Sequence, residues 1–213
     1  EEEVPILMEL EGKKENVKRT LFTFSFKEQE HHFTKGQLGF REEQFVLLIV
    51  GWRLDEEISN EFLQMLDSVC HKDARIVAAF MGKYQNYEES IKKYPLLAAN
   101  SRCLGAQEDA LAVTECMDLY VNPKRSGGGS SVAESLYKGL PVVTLPVGDV
   151  SAAAGESFRV ADYGEMAETI LHFASDEDYY ERMSRLAEER AEQLMDSKNS
   201  FCGVIDELEL DMN

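Results

Sequence analysis

Five short apolar runs recur between residues 45 and 145: FVLLIVG (45–51), ARIVAAFMG (74–82), SRCLG (101–105), DLYVNP (118–123) and LPVVTL (140–145). The longest of them are apolar at successive positions rather than at alternate ones. That is the pattern of strands covered on both faces. Between the runs lie segments with helical spacing. DEEISNEFLQMLDSVCHK places Ile58, Phe62, Met65, Leu66 and Val69 on one side, with acids leading, and predicts a single helix. YEESIKKY, QEDALAVTECM and SSVAESLYKG predict three more, with Gly139 at the C-cap of the last. YGEMAETILHFA, DEDYYERMSRLAEERAEQLM and SFCGVIDELEL predict closing helices. Strand and helix alternating on short links predict an α/β domain, a parallel sheet flanked by helices in three layers.

Ligands of such sheets bind beyond the carboxyl ends of the strands. The glycine and polar clusters of the chain fall there: Gly51-Trp52-Arg53, Gly82-Lys83, Leu104-Gly105, and the stretch from Asn122 to Ser131. Within that stretch Gly127, Gly128 and Gly129 precede Ser130 and Ser131 at the start of a predicted helix. A helix N-terminus exposes unpaired N–H groups and about half a positive charge, and glycines let an anion approach the backbone. The serine hydroxyls are expected to cap the helix or to donate to phosphate oxygens. Two phosphate motifs are excluded. No lysine follows the glycines, as a P-loop requires. Val132 stands where the third glycine of a dinucleotide fingerprint would be. Glu134 lies about one helical turn past Ser131, where a carboxylate can accept from both hydroxyls of a ribose.

Composition narrows the partners. A formal net charge of −18 argues against a nucleic-acid binder and against adhesion to an anionic membrane. No apolar run approaches the roughly 18 residues of a membrane span, so membrane association is expected to be peripheral at most. Cys70, Cys103, Cys116 and Cys202 have irregular spacings without a CxxC pair, and read as thiols in a reducing cytoplasm rather than zinc ligands or disulfides. His31, His32, His71 and His172 read as surface or boundary residues.

NPKRSGGGSSVAESLYKGLPVVTL, together with VLLIVGWRLDEEI and CLGAQEDALAVTECMDLYVNP, resembles the C-terminal, sugar-donor-binding half of GT-B-fold glycosyltransferases, closest to retaining enzymes that use nucleotide-diphospho-sugars. The resemblance covers about Leu38 to Leu194. It implies a Rossmann-like domain. It also implies that Glu134 binds the donor ribose, that the turn from Ser126 to Ser131 binds the diphosphate, and that Arg53, after Gly51, supplies a phosphate-binding guanidinium. The strand end at Leu104-Gly105 would lie near the nucleobase. Arg53 and Glu134 are the residues to which the resemblance assigns catalytic weight. Many relatives carry a further glutamate where Ser126 stands and a phosphate-binding lysine where Ile58 stands. The two-residue clamp on the diphosphate is thus incomplete unless Lys83, Lys124 or Arg125 substitutes.

Sugar transfer of this kind builds negative charge on the leaving phosphate, and a helix N-terminus with a nearby cation stabilises that charge. No DxD-type motif lies in a suitable loop; Asp176 and Asp178 fall between closing helices and read as a solvated cap. Metal independence and no cofactor beyond the nucleotide-sugar substrate are therefore expected. Residues 1–40, with Phe22, Phe24 and Phe26 alternating as in an edge strand or an extended segment, are expected to be a linker or a remnant of the N-terminal acceptor-binding domain. Residues 41–213 are expected to be the donor-binding domain, inactive alone. Two rivals stand beside this reading. A sugar-nucleotide epimerase or hydrolase would need acid–base carboxylates near the sugar, where Ser126 offers none. A non-catalytic partner subunit of a glycosyltransferase fits the losses at Ser126 and Ile58.

Overall fold

The computed structural model describes residues 23–211. They fall into two compact units: Phe26–Glu192, and a smaller one formed by residues 23–25 with residues 193–211. The larger unit holds one parallel sheet of five strands, β1 Phe45–Gly51, β2 Ile76–Gly82, β3 Ser101–Gly105, β4 Leu119–Val121 and β5 Val142–Val143. These are the five apolar runs. Their order is β3-β2-β1-β4-β5. The chain builds outward from β1 to β3, then crosses back to lay β4 on the other side of β1. In parallel sheets such a reversal marks the ligand crevice, which by this strand order falls beyond the carboxyl ends of β1 and β4. Gly51 pairs with Gly82, and Met81 with Gly105, so three strands end on one level.

The helices flank the sheet in two groups. α1 Leu54–Glu57 and α2 Asn60–Lys72 replace the single helix expected there. Ile58 is extended (φ −83°, ψ 108°), and the Ser59 hydroxyl caps α2 by accepting from the Phe62 N–H at 3.1 Å. A serine cap inside the apolar pattern outcompetes continuation of the helix, because it satisfies one of the orphan N–H groups of a new start. The acids Asp55, Glu56 and Glu57 therefore belong to a one-turn helix beside the crevice. Next come α3 Tyr87–Ile91 and α4 Pro95–Ala99. α4 was not anticipated; Pro95 starts it and the Asp67 carboxylate accepts from the N–H groups of Leu96 and Leu97 at 3.0 and 2.8 Å. α5 Ala110–Thr114, capped by Asp109, leads to β4. α6 Gly129–Tyr137 and the equally unanticipated α7 Gly148–Ala154 follow β4 and β5. α8 Tyr163–Ser175, α9 Glu177–Met195 and α10 Ser197–Asp211 close the chain.

α2 packs on α4 and α8, and α6 on α5 and α7. Phe62, Leu66 and Val69 of α2, Val132, Ala133 and Leu136 of α6, and Ile170 and Phe173 of α8 are all buried. Each large apolar side chain so buried contributes roughly 1.5–3 kcal/mol before entropy is counted. α6 is thus anchored by one apolar face while its first turn points along the strand ends.

Residues 26–33 carry no regular secondary structure and pair with no strand. Phe26 stacks on Tyr137 at 4.6 Å, the N–H groups of Glu30 and His31 donate to Asp109 at 2.9 and 2.8 Å, and the Cys116 thiol donates to the Phe33 carbonyl at 3.0 Å. Lys35 then pairs with Asp118 at 2.7 Å. The segment is a strap along α5. In the smaller unit the Phe24 N–H donates to the Leu194 carbonyl at 2.9 Å. The alternating phenylalanines thus form no strand here: Phe24 and Phe26 belong to different units, and Phe22 lies outside the described residues.

Cys70, Cys103, Cys116 and Cys202 are free thiols, the first and third buried and the others exposed. Burial pushes the Cys70 thiol up to about 12, which leaves it inert at neutral pH. His31, His32 and His172 lie against Asp109, Glu115 and Asp176.

Candidate functional site

The turn after β4 is built on one guanidinium. Arg125 is 4% exposed. Its Nε donates to Asn122 Oδ1 at 2.7 Å, its Nη2 to the Tyr120 hydroxyl at 3.0 Å, and its Nη1 to Glu57 Oε2 at 2.9 Å. The Tyr120 hydroxyl is in turn 2.8 Å from Ser131 Oγ, and Ser131 Oγ donates to the Gly128 carbonyl at 2.9 Å. Asn122 donates to Thr144 Oγ1 at 3.1 Å, tying the network to the end of β5. Burial holds the Tyr120 hydroxyl well above its ordinary titration range, so it stays a neutral donor and acceptor.

Two glycines exist because of this guanidinium. A Cβ on Gly51 would lie 2.7 Å from Arg125 Nη1, and a Cβ on Gly128 would lie 2.8 Å from Arg125 Nη2. Gly128 also needs its left-handed backbone, at φ 107°. The loop after β1 and the turn after β4 therefore meet across Arg125. Gly127 has open space where a side chain would be, and so does Gly105.

Gly128 is the N-cap of α6 and no side chain caps the helix. The expectation that Ser130 or Ser131 does so is corrected: the helix begins earlier, at Gly129, so both serines lie inside its first turn. Ser131 bonds back to Gly128, and Ser130 is exposed. Among the described residues no acceptor is bonded to the N–H groups of Gly129, Ser130 or Ser131. Three donors and the positive end of a nine-residue helix thus converge above a buried cation.

Arg53 is the N-cap residue of α1 and is 61% exposed; its Nη2 lies 3.3 Å from Glu57 Oε1. Arg53 and the turn are thereby linked through Glu57 and Arg125. Glu134 is half-buried on α6, and burial raises its carboxyl above the ordinary glutamate range. Among the described residues its carboxylate has no side-chain partner. Leu104 and Gly105 end the edge strand β3, two strands from β1, roughly 10 Å away at sheet spacing. Ser126 is exposed, and its carbonyl accepts from the Asp149 N–H at 2.7 Å. A side chain on Gly148 would collide with that carbonyl, so α7 closes tightly on the turn. Of the three candidate substitutes for the missing lysine, Lys83 and Lys124 are exposed, whereas Arg125 is locked beneath the turn.

Glu57, Tyr120 and Thr144 were not among the expected site residues. Glu57 read as a first-turn acid of a longer helix, and Tyr120 as an apolar strand residue; only the break at Ile58 and the crossing of β4 beside β1 bring them to Arg125. Among the described residues, no group of three or more His, Cys, Asp or Glu side chains is placed to hold a metal ion. No described helix is long and apolar enough to cross a membrane.

Solved structures share this fold. WaaG, a glycosyltransferase involved in lipopolysaccharide biosynthesis, matches with a TM-score of 0.62 at 18% identity, over 77% of this chain and 46% of its own. Alr3699/HepE of Anabaena, solved in complex with UDP and glucose, matches at 0.66 and 17%, over 82% and 50%. TarM of S. aureus, in a complex that includes UDP, matches at 0.64 and 15%, over 87% and 37%. The chain therefore spans half or less of the length of these proteins, and has the fold of one half of a GT-B glycosyltransferase. No curated protein sequence matches it. The family model of the group 1 glycosyl transferases matches residues 44–176, from the start of β1 to the end of α8 and thus through every residue of the crevice; the chain belongs to that family.

Proposed function

We propose that this chain is the donor-binding half of a glycosyltransferase. It takes a nucleotide-diphospho-sugar in the crevice between β1 and β4. With an N-terminal acceptor-binding domain it transfers the sugar, with retention at the anomeric carbon. The observation that carries this reading is the unbonded first turn of α6, with three N–H groups above the Arg125 guanidinium. The diphosphate lies against these N–H groups and Arg53. The ribose hydroxyls donate to Glu134, whose half-buried carboxylate otherwise lacks a partner. The base reaches toward Leu104 and Gly105. The UDP complex of HepE supports a uridine nucleotide as the first to test.

In the transfer the bond from the anomeric carbon to the diphosphate breaks. Charge gathers on the leaving phosphate as oxocarbenium character grows on the ring. The N–H groups of Gly129, Ser130 and Ser131 and the buried Arg125 guanidinium are fixed before the donor arrives, so they stabilise that charge without reorganising; one such donor is worth roughly 3 kcal/mol of barrier. The chain alone binds and does not turn over. The setting proposed is the cytoplasm, with no metal required.

A thermal-shift screen of nucleoside diphosphates tests this. At tenfold the dissociation constant a ligand adds about 1.4 kcal/mol of stability. A shift with one nucleotide and not with its nucleoside supports the reading; no shift with any removes it. The second reading, a partner subunit that binds no nucleotide, is favoured by the exposed Ser126 in place of a carboxylate, and the empty screen is its signature.

A further inference from the structure

One carboxylate serves two guanidiniums at this site, and it serves them unequally. Glu57 Oε2 meets Arg125 at 2.9 Å with the Arg125 side chain 4% exposed; Glu57 Oε1 meets Arg53 at 3.3 Å with Arg53 61% exposed. Arg125 has two further fixed acceptors, Asn122 and Tyr120. Arg53 has no other bonded acceptor among the described residues.

We propose that Glu57 is a positioning residue: it holds Arg125 permanently beneath the glycine turn and holds Arg53 only until a diphosphate takes it. This rests on the donor-site reading above. Three observations favour it. An exposed guanidinium–carboxylate pair is weak, so releasing Arg53 costs at most about fivefold in affinity. The buried pair cannot be released the same way, because a lone buried charge is far more costly than an exposed one. And Glu57 ends a one-turn helix, next to the extended Ile58, so its side chain is held from a fixed backbone while Arg53 leaves the strand end on a flexible stem.

The three charges sum to +1. A bound diphosphate brings two or three negative charges against the single one of Glu57, and it offers guanidinium-spaced oxygens. Arg53 therefore exchanges a carboxylate for the diphosphate. Arg125 stays, contributing its field from below the turn. With Ile58 in place of a second cation, the exchange of Arg53 is the adjustable half of the clamp.

The test is a double-mutant cycle read by calorimetric titration of inorganic pyrophosphate and UDP into the chain, its Glu57→Gln and Arg53→Met variants, and the double variant. Glutamine keeps an acceptor for Arg125 but no longer holds Arg53 by charge. Arg53→Met should weaken pyrophosphate binding about tenfold in the parent and at least threefold more in the Glu57→Gln background, where Arg53 is free. An equal or smaller loss in that background makes Glu57 merely structural and overturns the proposal. If Glu57→Gln does not fold, arginine side-chain NMR of the parent chain decides. The Arg53 guanidinium signal should move on titration with pyrophosphate while that of Arg125 stays; movement of Arg125, or stillness of Arg53 while ligand binds, overturns it. A parent chain that binds neither UDP nor pyrophosphate fails the donor-site reading itself, and this inference with it.

Discussion

Arg125 and Glu57 meet at 2.9 Å with both side chains nearly shielded from water, and this pair joins the loop after β1 to the turn after β4. Removing Arg125 leaves the shielded Glu57 carboxylate with only the exposed Arg53 as a counter-charge, and breaking a buried pair costs about 3–5 kcal/mol. Arg125→Met is therefore expected to lower the midpoint of thermal unfolding by about 10 °C, at roughly 2–4 °C per kcal/mol for a chain of this size. Replacing both partners with methionine should cost less than Arg125→Met alone. Thermal unfolding followed by circular dichroism checks this; equal midpoints for the parent and Arg125→Met would mean that the pair is solvated in solution.

Adjacent glycines of the turn should respond in opposite ways. Gly128→Ala places a methyl 2.8 Å from Arg125 Nη2 and 2.9 Å from Val150 Cγ2, on a left-handed backbone. The backbone alone costs about 1–2 kcal/mol, so a drop of several degrees is expected together with loss of nucleoside diphosphate binding. Gly127→Ala meets nothing within 4 Å and its φ is not positive. It should hold or slightly raise stability by restricting the unfolded chain. Unfolding midpoints of the two variants side by side decide the matter; two equal losses would place the turn differently from the geometry described.

Much of this arrangement was legible in the sequence, for physical reasons that also mark where legibility ends. The runs at 45–51 and 76–82 are doubly covered strands, and a continuous apolar run bounded by glycine announces one. The placement of Arg53 after β1, and of Gly127–Ser131 and Glu134 at the start of α6, was legible because strand ends and a glycine-rich helix start have a local signature. Glu57 was not. Its partner is 68 residues away, and its role depends on a helix break set by a serine cap at Ser59. Ser131 was misread for a subtler reason: once Gly128 takes the cap position, the hydroxyl donates within the turn to the Gly128 carbonyl and meets the Tyr120 hydroxyl across it. The short helices α4 and α7 were missed because each is little more than one or two turns, fixed by a tertiary carboxylate or a tight glycine contact rather than by periodicity.

The strap of residues 26–33 lies before the boundary placed at residue 40 from composition, yet its contacts reach past it. Its bonds to Asp109 and Cys116, the Phe26–Tyr137 stack and the Lys35–Asp118 pair all belong to the larger unit. We propose that the donor-binding domain starts near residue 26. A chain beginning at residue 41 should then unfold at least about 5 °C below one beginning at residue 23, having lost the charge-assisted bonds on Asp109 and Asp118, worth about 1.5–3 kcal/mol each at most. Equal midpoints would return the boundary to residue 40.

Glu134 carries the sharpest expectation, because folding and binding ask opposite things of it. Burial raises its carboxyl. The folded chain thus holds this proton more tightly than the unfolded chain does. The stability from this group is full below the ordinary glutamate pKa and is lost as pH rises through the folded value. At neutral pH the free protein therefore carries a strained carboxylate. Glu134→Gln should relieve it and raise the unfolding midpoint. The ribose asks for the carboxylate: it accepts from both hydroxyls, whereas the amide has one acceptor oxygen and one donor end. Nucleoside diphosphate binding should weaken about ten- to a hundredfold in the same variant, through charge-assisted bonds of roughly 1.5–3 kcal/mol. Inorganic pyrophosphate, with no ribose, should bind as before or slightly better. Acidification gives an independent check. The affinity ratio of UDP to its 2′,3′-dideoxy analogue cancels the titration of the phosphates, which the two share. In the parent chain that ratio should fall as pH drops through the raised carboxyl value; in Glu134→Gln it should be small and flat. A parent ratio that ignores pH, or a variant that weakens pyrophosphate as much as UDP, would move Glu134 from the ribose to the support of the turn.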